Sequence, residues 1–110
     1  MEPRHEHWIA AKNVLRYIRG TINYGLRYTA SNNIQLHGFT DSDWARSAED
    51  RKSTSGMCFS LGSAMIYWGS RKQKYVTLGT TEAEYIAACE ACTEEIWLRK
   101  LISDLFDQIP

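Results

Sequence analysis

The sequence lacks long hydrophobic runs, a net charge and a cysteine framework. Its uninterrupted apolar runs are only a few residues long, far short of the roughly 20 that span a bilayer, and no charged-then-apolar leader opens the chain. These absences predict an intracellular protein, of cytoplasm or nucleus, with no membrane partner. Three cysteines are an odd count without a disulfide framework. Cys89 and Cys92 have a C-x-x-C spacing, but no second Cys or His pair completes a zinc site, so packed free thiols in a reducing compartment are favoured for Cys58, Cys89 and Cys92.

The formal charge is zero, with 13 basic and 13 acidic side chains among 110 residues, but the two signs are unevenly distributed. Residues 1–79 carry 11 basic and 6 acidic side chains, whereas residues 80–110 carry 2 basic and 7 acidic ones. Such asymmetry is a clue to a charged partner. The length fits one small domain, and the 44% hydrophobic content supplies a core, which excludes a long disordered or low-complexity chain.

Hydrophobic periodicity predicts one helix near each end of the chain. Over residues 4–19 the apolar residues recur every three or four positions, and Gly20 is a stop signal. A longer helix is predicted from Thr81 to about Asp107. Its start has the pattern of a capping box, in which Thr81 and Glu84 bond each other's backbone amides.

The middle of the chain has the pattern of β-strands. Residues 24–29 and 34–40 flank an Asn-rich turn, which predicts a first hairpin. Residues 55–61 and 64–69 flank a Gly-Ser pair, which predicts a second hairpin, and the polar segment before them predicts a loop. The order helix, antiparallel strands, helix indicates an α+β fold or the first part of an α/β sheet.

Carboxylates occur at two places that suit metal chemistry. Asp41 and Asp43 lie at the end of a predicted strand, where positions i and i+2 point to the same side, and carboxylate oxygens are ligands for Mg²⁺. A strand-ending Asx turn explains the same pair. Glu82 and Glu84 lie in the first turn of the second helix, where acidic residues also complement the helix dipole. These residues alone leave the metal-binding and the structural interpretations open.

Basic and hydroxyl side chains in the middle of the chain suit contacts with phosphate groups. They are Arg51, Lys52, Ser53, Thr54, Arg71 and Lys72. A solvated loop rim without any ligand explains the same composition, so both alternatives stay open at this point.

Four ordered motifs resemble the ribonuclease H region of Ty1/copia-type retrotransposon Pol polyproteins. They are residues 39–44 (FTDSDW), 50–56 (DRKSTSG), 66–73 (IYWGSRKQ) and 80–87 (TTEAEYIA). Residues 7–20 are similar to the segment that joins the reverse transcriptase to that region. The resemblance implies a connection segment at residues 1–33 and a partial RNase H-like domain, with a mixed sheet, at residues 34–110.

In that family, carboxylates bind two Mg²⁺ ions that promote hydrolysis of the RNA strand in an RNA–DNA hybrid. By motif position, the resemblance assigns Asp41 and Glu84 as catalytic and metal-binding residues and Asp43 as at most an auxiliary ligand. The basic and hydroxyl set would contact the hybrid. A strand with a third metal-binding aspartate follows the long helix in the family, and these 110 residues do not include it. We therefore expect a C-terminally truncated remnant that is inactive alone and binds Mg²⁺ weakly.

The missing strand also affects the fold that the resemblance implies. It would pair with the first strand, so we expect self-association or marginal stability unless residues 24–40 cover that edge. Two other functions stay open: a non-catalytic nucleic-acid binder that uses the basic loops, and a protein-interaction remnant that uses the sheet edge or the last helix.

Overall fold

The computed structural model describes residues 2–30, 32 and 34–107. Two helices flank a three-stranded antiparallel sheet in the order α1 (His5–Gly20), β1 (Leu36–Asp43), β2 (Thr54–Leu61), β3 (Ala64–Lys72) and α2 (Thr80–Phe106). The strands lie side by side in the order β1-β2-β3. This architecture is α+β, as the sequence predicts. Neither helix has the length and apolarity that a membrane span requires in the described residues.

The hairpin predicted at residues 55–69 is confirmed. Strands β2 and β3 pair antiparallel, and Leu61 lies opposite Ala64 across a two-residue turn. Gly62 in that turn has a φ of 62°, a left-handed conformation that glycine adopts without a steric penalty. The turn residues in the sequence therefore sufficed to locate this hairpin.

The hairpin predicted between residues 24–29 and 34–40 is wrong. Residues 24–30 form no strand, and they lie beside the start of β3, where the Tyr28 hydroxyl donates to the Met65 carbonyl at 2.6 Å. Strand β1 pairs instead with β2 along its whole length. Strand β2 is central and buries every second side chain. Pairing with it therefore gives β1 more cross-strand side-chain contact than a local hairpin would. Ser31 and Asn33 of the predicted turn lie outside the described residues.

The core lies between α2 and the sheet. The side chains that form it are Leu36, Met57, Phe59, Ala91, Leu98 and Ile102. Alternate β2 residues are buried, and a column of alanines on α2, at positions 83, 87 and 91, lets the helix lie close to the strands. A Cβ at Gly38 would lie 2.5 Å from Phe59 Cε1, so a glycine at this β1 position makes room for the largest core side chain.

Helix α1 forms as predicted and ends at Gly20, but none of its residues is buried. Its apolar residues, including Trp8, Val14 and Leu15, are all exposed. The side-chain contacts at the start of the helix are local: the Arg4 amide donates to His7 Nδ1 at 3.0 Å, and the Arg4 guanidinium lies 3.7 Å from Glu6 Oε1. Among the described elements α1 contacts neither the sheet nor α2.

The three cysteines are free, as the sequence predicts, but two of them are not packed. Cys58 is half-buried on β2, whereas Cys89 and Cys92 are exposed on α2. The helix turns its alanine column toward the sheet, and this places both thiols on its solvent side.

Candidate metal-binding and nucleic-acid site

Asp41 lies on the face of the sheet that points away from α2. Residues that face each other across antiparallel strands point to the same side, and Ser42 pairs with the buried Ser55 of the α2 side. Its neighbour Asp41 therefore points to the open side, opposite Gly56. The Oδ1 atom of Asp41 accepts a hydrogen bond from the Ser42 amide at 2.8 Å. This local bond leaves the other carboxylate oxygen without a protein donor among the described residues.

Asp43 shares a shallow cavity with Asp41. The cavity, of about 110 Å³, is lined by Asp41, Ser42, Asp43, Thr54, Gly56 and Ser70. The Arg46 guanidinium donates to Asp43 Oδ2 at 3.0 Å, in an exposed ion pair. The carboxylate of Asp43 is thus already partnered by a cation, whereas that of Asp41 is not.

The start of α2 differs from the predicted capping box. The N-cap residue is Gly79, and the carboxylate that accepts a bond there belongs to Glu82, whose Oε2 accepts from the Leu78 amide at 2.7 Å. Thr80 instead of Thr81 begins the helix, so Glu84 lies beyond the capping position. Glu84 is exposed and has no hydrogen-bond or ion-pair partner in the described part of the chain. Capping therefore does not account for Glu84.

Gln73 connects the sheet with the start of α2. It is fully buried, and its Nε2 donates to Ser55 Oγ at 3.0 Å and to the Ala83 carbonyl at 2.9 Å. Ser55 lies opposite the residue that follows Asp41, and Ala83 precedes Glu84. The amide thus links β2 with the start of α2 at the end of the sheet that carries Asp41. Asp41 itself points to the open face, whereas Glu84 belongs to the helix on the other face. Sequence reasoning missed Gln73, because a single glutamine after a strand has no distinguishing pattern.

A second buried polar contact holds the loop between β1 and β2. Ser53 Oγ accepts from the Ala45 amide at 3.0 Å and lies 3.0 Å from Thr77 Oγ1. The indole of Trp44 donates to the Thr77 carbonyl at 3.3 Å. Ser53 is completely buried, so its hydroxyl is not presented to a ligand. Its assignment to a phosphate-contacting surface therefore has no support from its position.

The basic residues of the predicted surface do not lie on one side of the sheet. Arg71 pairs with Ser55 on the α2 side, and its Nη2 donates to Glu94 Oε1 at 2.7 Å. This hydrogen bond raises the pKa of Arg71. Lys72 lies opposite Thr54 on the open side, the side that carries Asp41. Strand alternation separates the two adjacent cations.

Lys72 also has a carboxylate partner. Its Nζ lies 2.6 Å from Asp50 Oδ2, and Asp50 Oδ1 accepts from the Lys52 amide at 3.1 Å. The hydrogen bonds from Lys72 and from the Lys52 backbone hold the pKa of Asp50 well below its usual range. Arg51 has a φ of 56° and is exposed. The β1–β2 loop thus turns sharply at Arg51, next to the Asp50–Lys72 ion pair.

The described residues include no group of three or more His, Cys, Asp or Glu side chains that could hold a metal ion. Mg²⁺ prefers near-octahedral oxygen ligation and commonly keeps several waters. The carboxylates of Asp41 and Glu84 are of the right chemical type for it, but two groups alone make a weak site. The fit is therefore partial.

Comparison with known proteins gives relatives over most of the chain. The Retrovirus-related Pol polyprotein from transposon TNT 1-94 of Nicotiana tabacum is 47% identical over 103 residues, 94% of this chain. The Retrovirus-related Pol polyprotein from transposon RE2 of Arabidopsis thaliana is 39% identical over 107 residues, 97% of this chain. The chain spans only 8% and 7% of these two polyproteins. The Secreted RxLR effector protein 161 of Plasmopara viticola is 45% identical over 97 residues, which are 88% of this chain and 68% of that protein.

The two polyproteins are proteins of mobile elements. The chain belongs to the family of copia-type retrotransposon Pol polyproteins and corresponds to a short segment of such a polyprotein. This confirms the family that its motifs resemble. No protein-family model matches the chain, and no solved structure matches it significantly.

Proposed function

We propose that this chain is the ribonuclease H-like segment of a copia-type Pol polyprotein. In this proposal Asp41 and Glu84 are metal-binding carboxylates for hydrolysis of the RNA strand in an RNA–DNA hybrid. Family membership supports the polyprotein origin, and the four motifs support the segment.

The observation that carries the proposal is the Gln73 bridge. A catalytic carboxylate pair needs two separate elements held in a fixed relation. Gln73 contributes to this relation indirectly, since its side chain bonds Ser55 Oγ on β2, which pairs with β1, and the Ala83 carbonyl at the start of α2. Gln73 is buried, so its hydrogen bonds to Ser55 and Ala83 are shielded from water. Glu84, which lacks any structural partner among the described residues, follows directly.

The residues present fit Mg²⁺ through the chemistry of their donor atoms. Carboxylate oxygens of Asp41 and Glu84 would hold the ion, with Asp43 as an auxiliary group because Arg46 already neutralises it. Bound Mg²⁺ in such sites activates water and stabilises the leaving oxygen. The chain's own basic residues would position the substrate phosphates. They are Lys72, on the open side beside the Thr54 hydroxyl, and Arg51 and Lys52 of the β1–β2 loop. Lys72 is paired with Asp50 and Arg71 with Glu94, so a phosphate would compete with these carboxylates.

The 110 residues alone should show no appreciable cleavage. Two carboxylates bind Mg²⁺ weakly, and the described residues offer no third group to complete the site. Cleavage should return when the chain is extended with the segment that follows the matched region in the tobacco TNT 1-94 polyprotein.

The experiment measures Mg²⁺-dependent cleavage of a labelled RNA–DNA hybrid by the extended chain. Asp41→Asn and Glu84→Gln should each lower the rate by more than about a hundredfold, because each removes a ligand charge. Asp43→Asn should have a smaller effect. Glu82→Gln is the matched control, because glutamine keeps an oxygen that accepts from the Leu78 amide.

Cleavage that survives Asp41→Asn would contradict the assignment of Asp41. Robust cleavage by the 110-residue chain, lost in Asp41→Asn, would contradict its inactivity alone. An extended chain that folds, as judged by circular dichroism, and still does not cleave would contradict the proposed nuclease function.

A second candidate is binding of nucleic acid without cleavage. It is favoured by Lys72, which lies on the same open face as Asp41 and near the exposed Arg51 loop. Affinity for hybrid or duplex that falls steeply with salt and survives Asp41→Asn would select this candidate.

A further inference from the structure

The two edges of the sheet differ in how they are protected. Edge strands of monomeric proteins commonly carry lysine, proline, a bulge or a covering segment. At β3, the Tyr28 hydroxyl and the Thr29 amide bond residues at the start of the strand, and Arg71 and Lys72 are at its end. Its pairing with β2 also contains an irregularity at Phe59/Ser60. The β3 edge is therefore protected near both of its ends.

Strand β1 has none of these protections. Its sequence has no proline, lysine or arginine, and its eight residues pair with β2 without a register shift. No described strand covers its other edge, so roughly half of its backbone amides and carbonyls face away from β2. Of these, the Ser42 amide donates to Asp41 Oδ1. Phe39, in the middle of the strand, is 59% exposed on the open face. An edge of this kind is a template for another strand.

We propose that a second copy of this chain adds its own β1 antiparallel to this edge, with Phe39 opposite the partner's Phe39. This register places His37 opposite the partner's Asp41, and symmetry repeats the pair on the other side. Registers shifted toward the end of the strand place Phe39 or Asp41 opposite the partner's Asp41, which leaves an acid against an aromatic ring or against a like charge. Charge complementarity therefore favours the Phe39-centred register over these shifted ones.

The helix side of this edge has room for a partner. A cavity of about 160 Å³ lies between Gly38 and Thr40 of β1 and the flank of α2, where Ala88, Ala91 and Cys92 supply small side chains. In the proposed dimer, a two-fold axis perpendicular to the sheet puts both α2 helices on the same face, and their small-residue flanks meet across the joined β1 strands. The result is a continuous six-stranded sheet. This inference does not rest on the nuclease assignment.

Cross-linking tests the register on the 110-residue chain. With Cys58, Cys89 and Cys92 changed to Ser, Phe39→Cys should form a disulfide-linked dimer under mild oxidation, because facing Cα atoms in antiparallel strands are about 4.5 to 5.5 Å apart and so within disulfide range. Trp68→Cys is the matched control, since Trp68 lies in the same row of the open face, is 66% exposed and belongs to the protected β3 edge. Equal cross-linking of both variants, or none at Phe39→Cys, would overturn the proposal.

Sedimentation equilibrium tests the association and its charge pairs. The wild-type chain should be a dimer at micromolar concentration, and a monomer up to about 100 µM would refute the proposal. His37→Asp should raise the dimer dissociation constant by about tenfold or more, because it creates two facing acid pairs. Adding Asp41→His in the same chain should restore the affinity. A folded double variant with no recovery would overturn the register.

Discussion

The two helices of this chain differ in how much of their surface the fold uses. Five residues of α2 are buried against the sheet, whereas α1 buries none. Yet α1 separates its apolar from its charged residues more cleanly than α2 does. Amphipathic spacing thus predicts that a helix forms, but burial requires a complementary surface. In α2, small alanines contact the complementary surface of the sheet, while large residues such as Trp97 and Phe106 stay exposed.

The largest difference should appear when one apolar side chain is removed from each unit. Phe59→Ala should lower the free energy of unfolding by about 3 to 5 kcal/mol, because Phe59 is 1% exposed at the centre of the α2–sheet core. Leu15→Ala, at the 66% exposed Leu15 of α1, should change it by less than about 0.5 kcal/mol. Urea unfolding followed by circular dichroism measures both. Similar losses at the two sites would show that α1 is packed in solution.

The next effect concerns the buried amide that joins the sheet with α2. Gln73→Leu should cost about 2 to 3 kcal/mol, because it leaves Ser55 Oγ and the Ala83 carbonyl buried without their donor. Lys74→Leu, next to it and exposed, is the matched control and should be nearly neutral. Urea unfolding of both variants provides the measurement. A loss below about 0.5 kcal/mol at Gln73 would mean that α2 is held by apolar packing alone.

Local sequence patterns correctly predicted the elements that are determined by residues close in sequence. The helix that ends at Gly20, the turn at Gly62 and the long second helix all follow from spacing and turn residues, and the structure agrees. The hairpin at residues 24–40 failed because its outcome depends on a distant competitor. Strand β1 finds β2, whose buried alternation offers more contact than an Asn-rich turn can.

In the candidate site, too, some features follow from nearby residues and others depend on residues distant in sequence. Motif resemblance selected Asp41 and Glu84, and their pairing stays a prediction. The buried Gln73 amide links Ser55 of β2 with Ala83, which precedes Glu84. Nothing local predicts Gln73, because its role depends on two elements that are 18 and 10 residues away in sequence. The capping pattern at Thr81 was assigned two residues too late, since Gly79, which has no side chain, serves as the N-cap and Glu82 supplies the carboxylate. Short-range spacing does not resolve such alternatives.

Removing α1 should have a small effect on the rest of the chain. Deletion of residues 1–22 should change the free energy of unfolding of the sheet unit by less than about 1 kcal/mol, because no described element packs on α1. Hydrogen exchange on the full chain provides an independent measurement. Amides of α1 should exchange quickly, since an isolated 16-residue helix is marginal in water, and those of β2 should be protected. Slow exchange in α1 would reveal a partner surface for it.

The smallest expected effect lies in the ion pair that holds the β1–β2 loop to β3. Lys72 lowers the folded-state pKa of Asp50 below its ordinary 3.8, so this carboxylate stabilises the fold fully above that value and loses its contribution as pH falls through the lowered pKa. Asp50→Asn keeps an oxygen for the Lys52 amide and removes only the charge. Its unfolding temperature should be slightly below wild type at pH 7, and the two should converge as the pH falls below 3.8 or as salt is added. A gap that persists in acid would show that the charge of Asp50 is not the source of the difference.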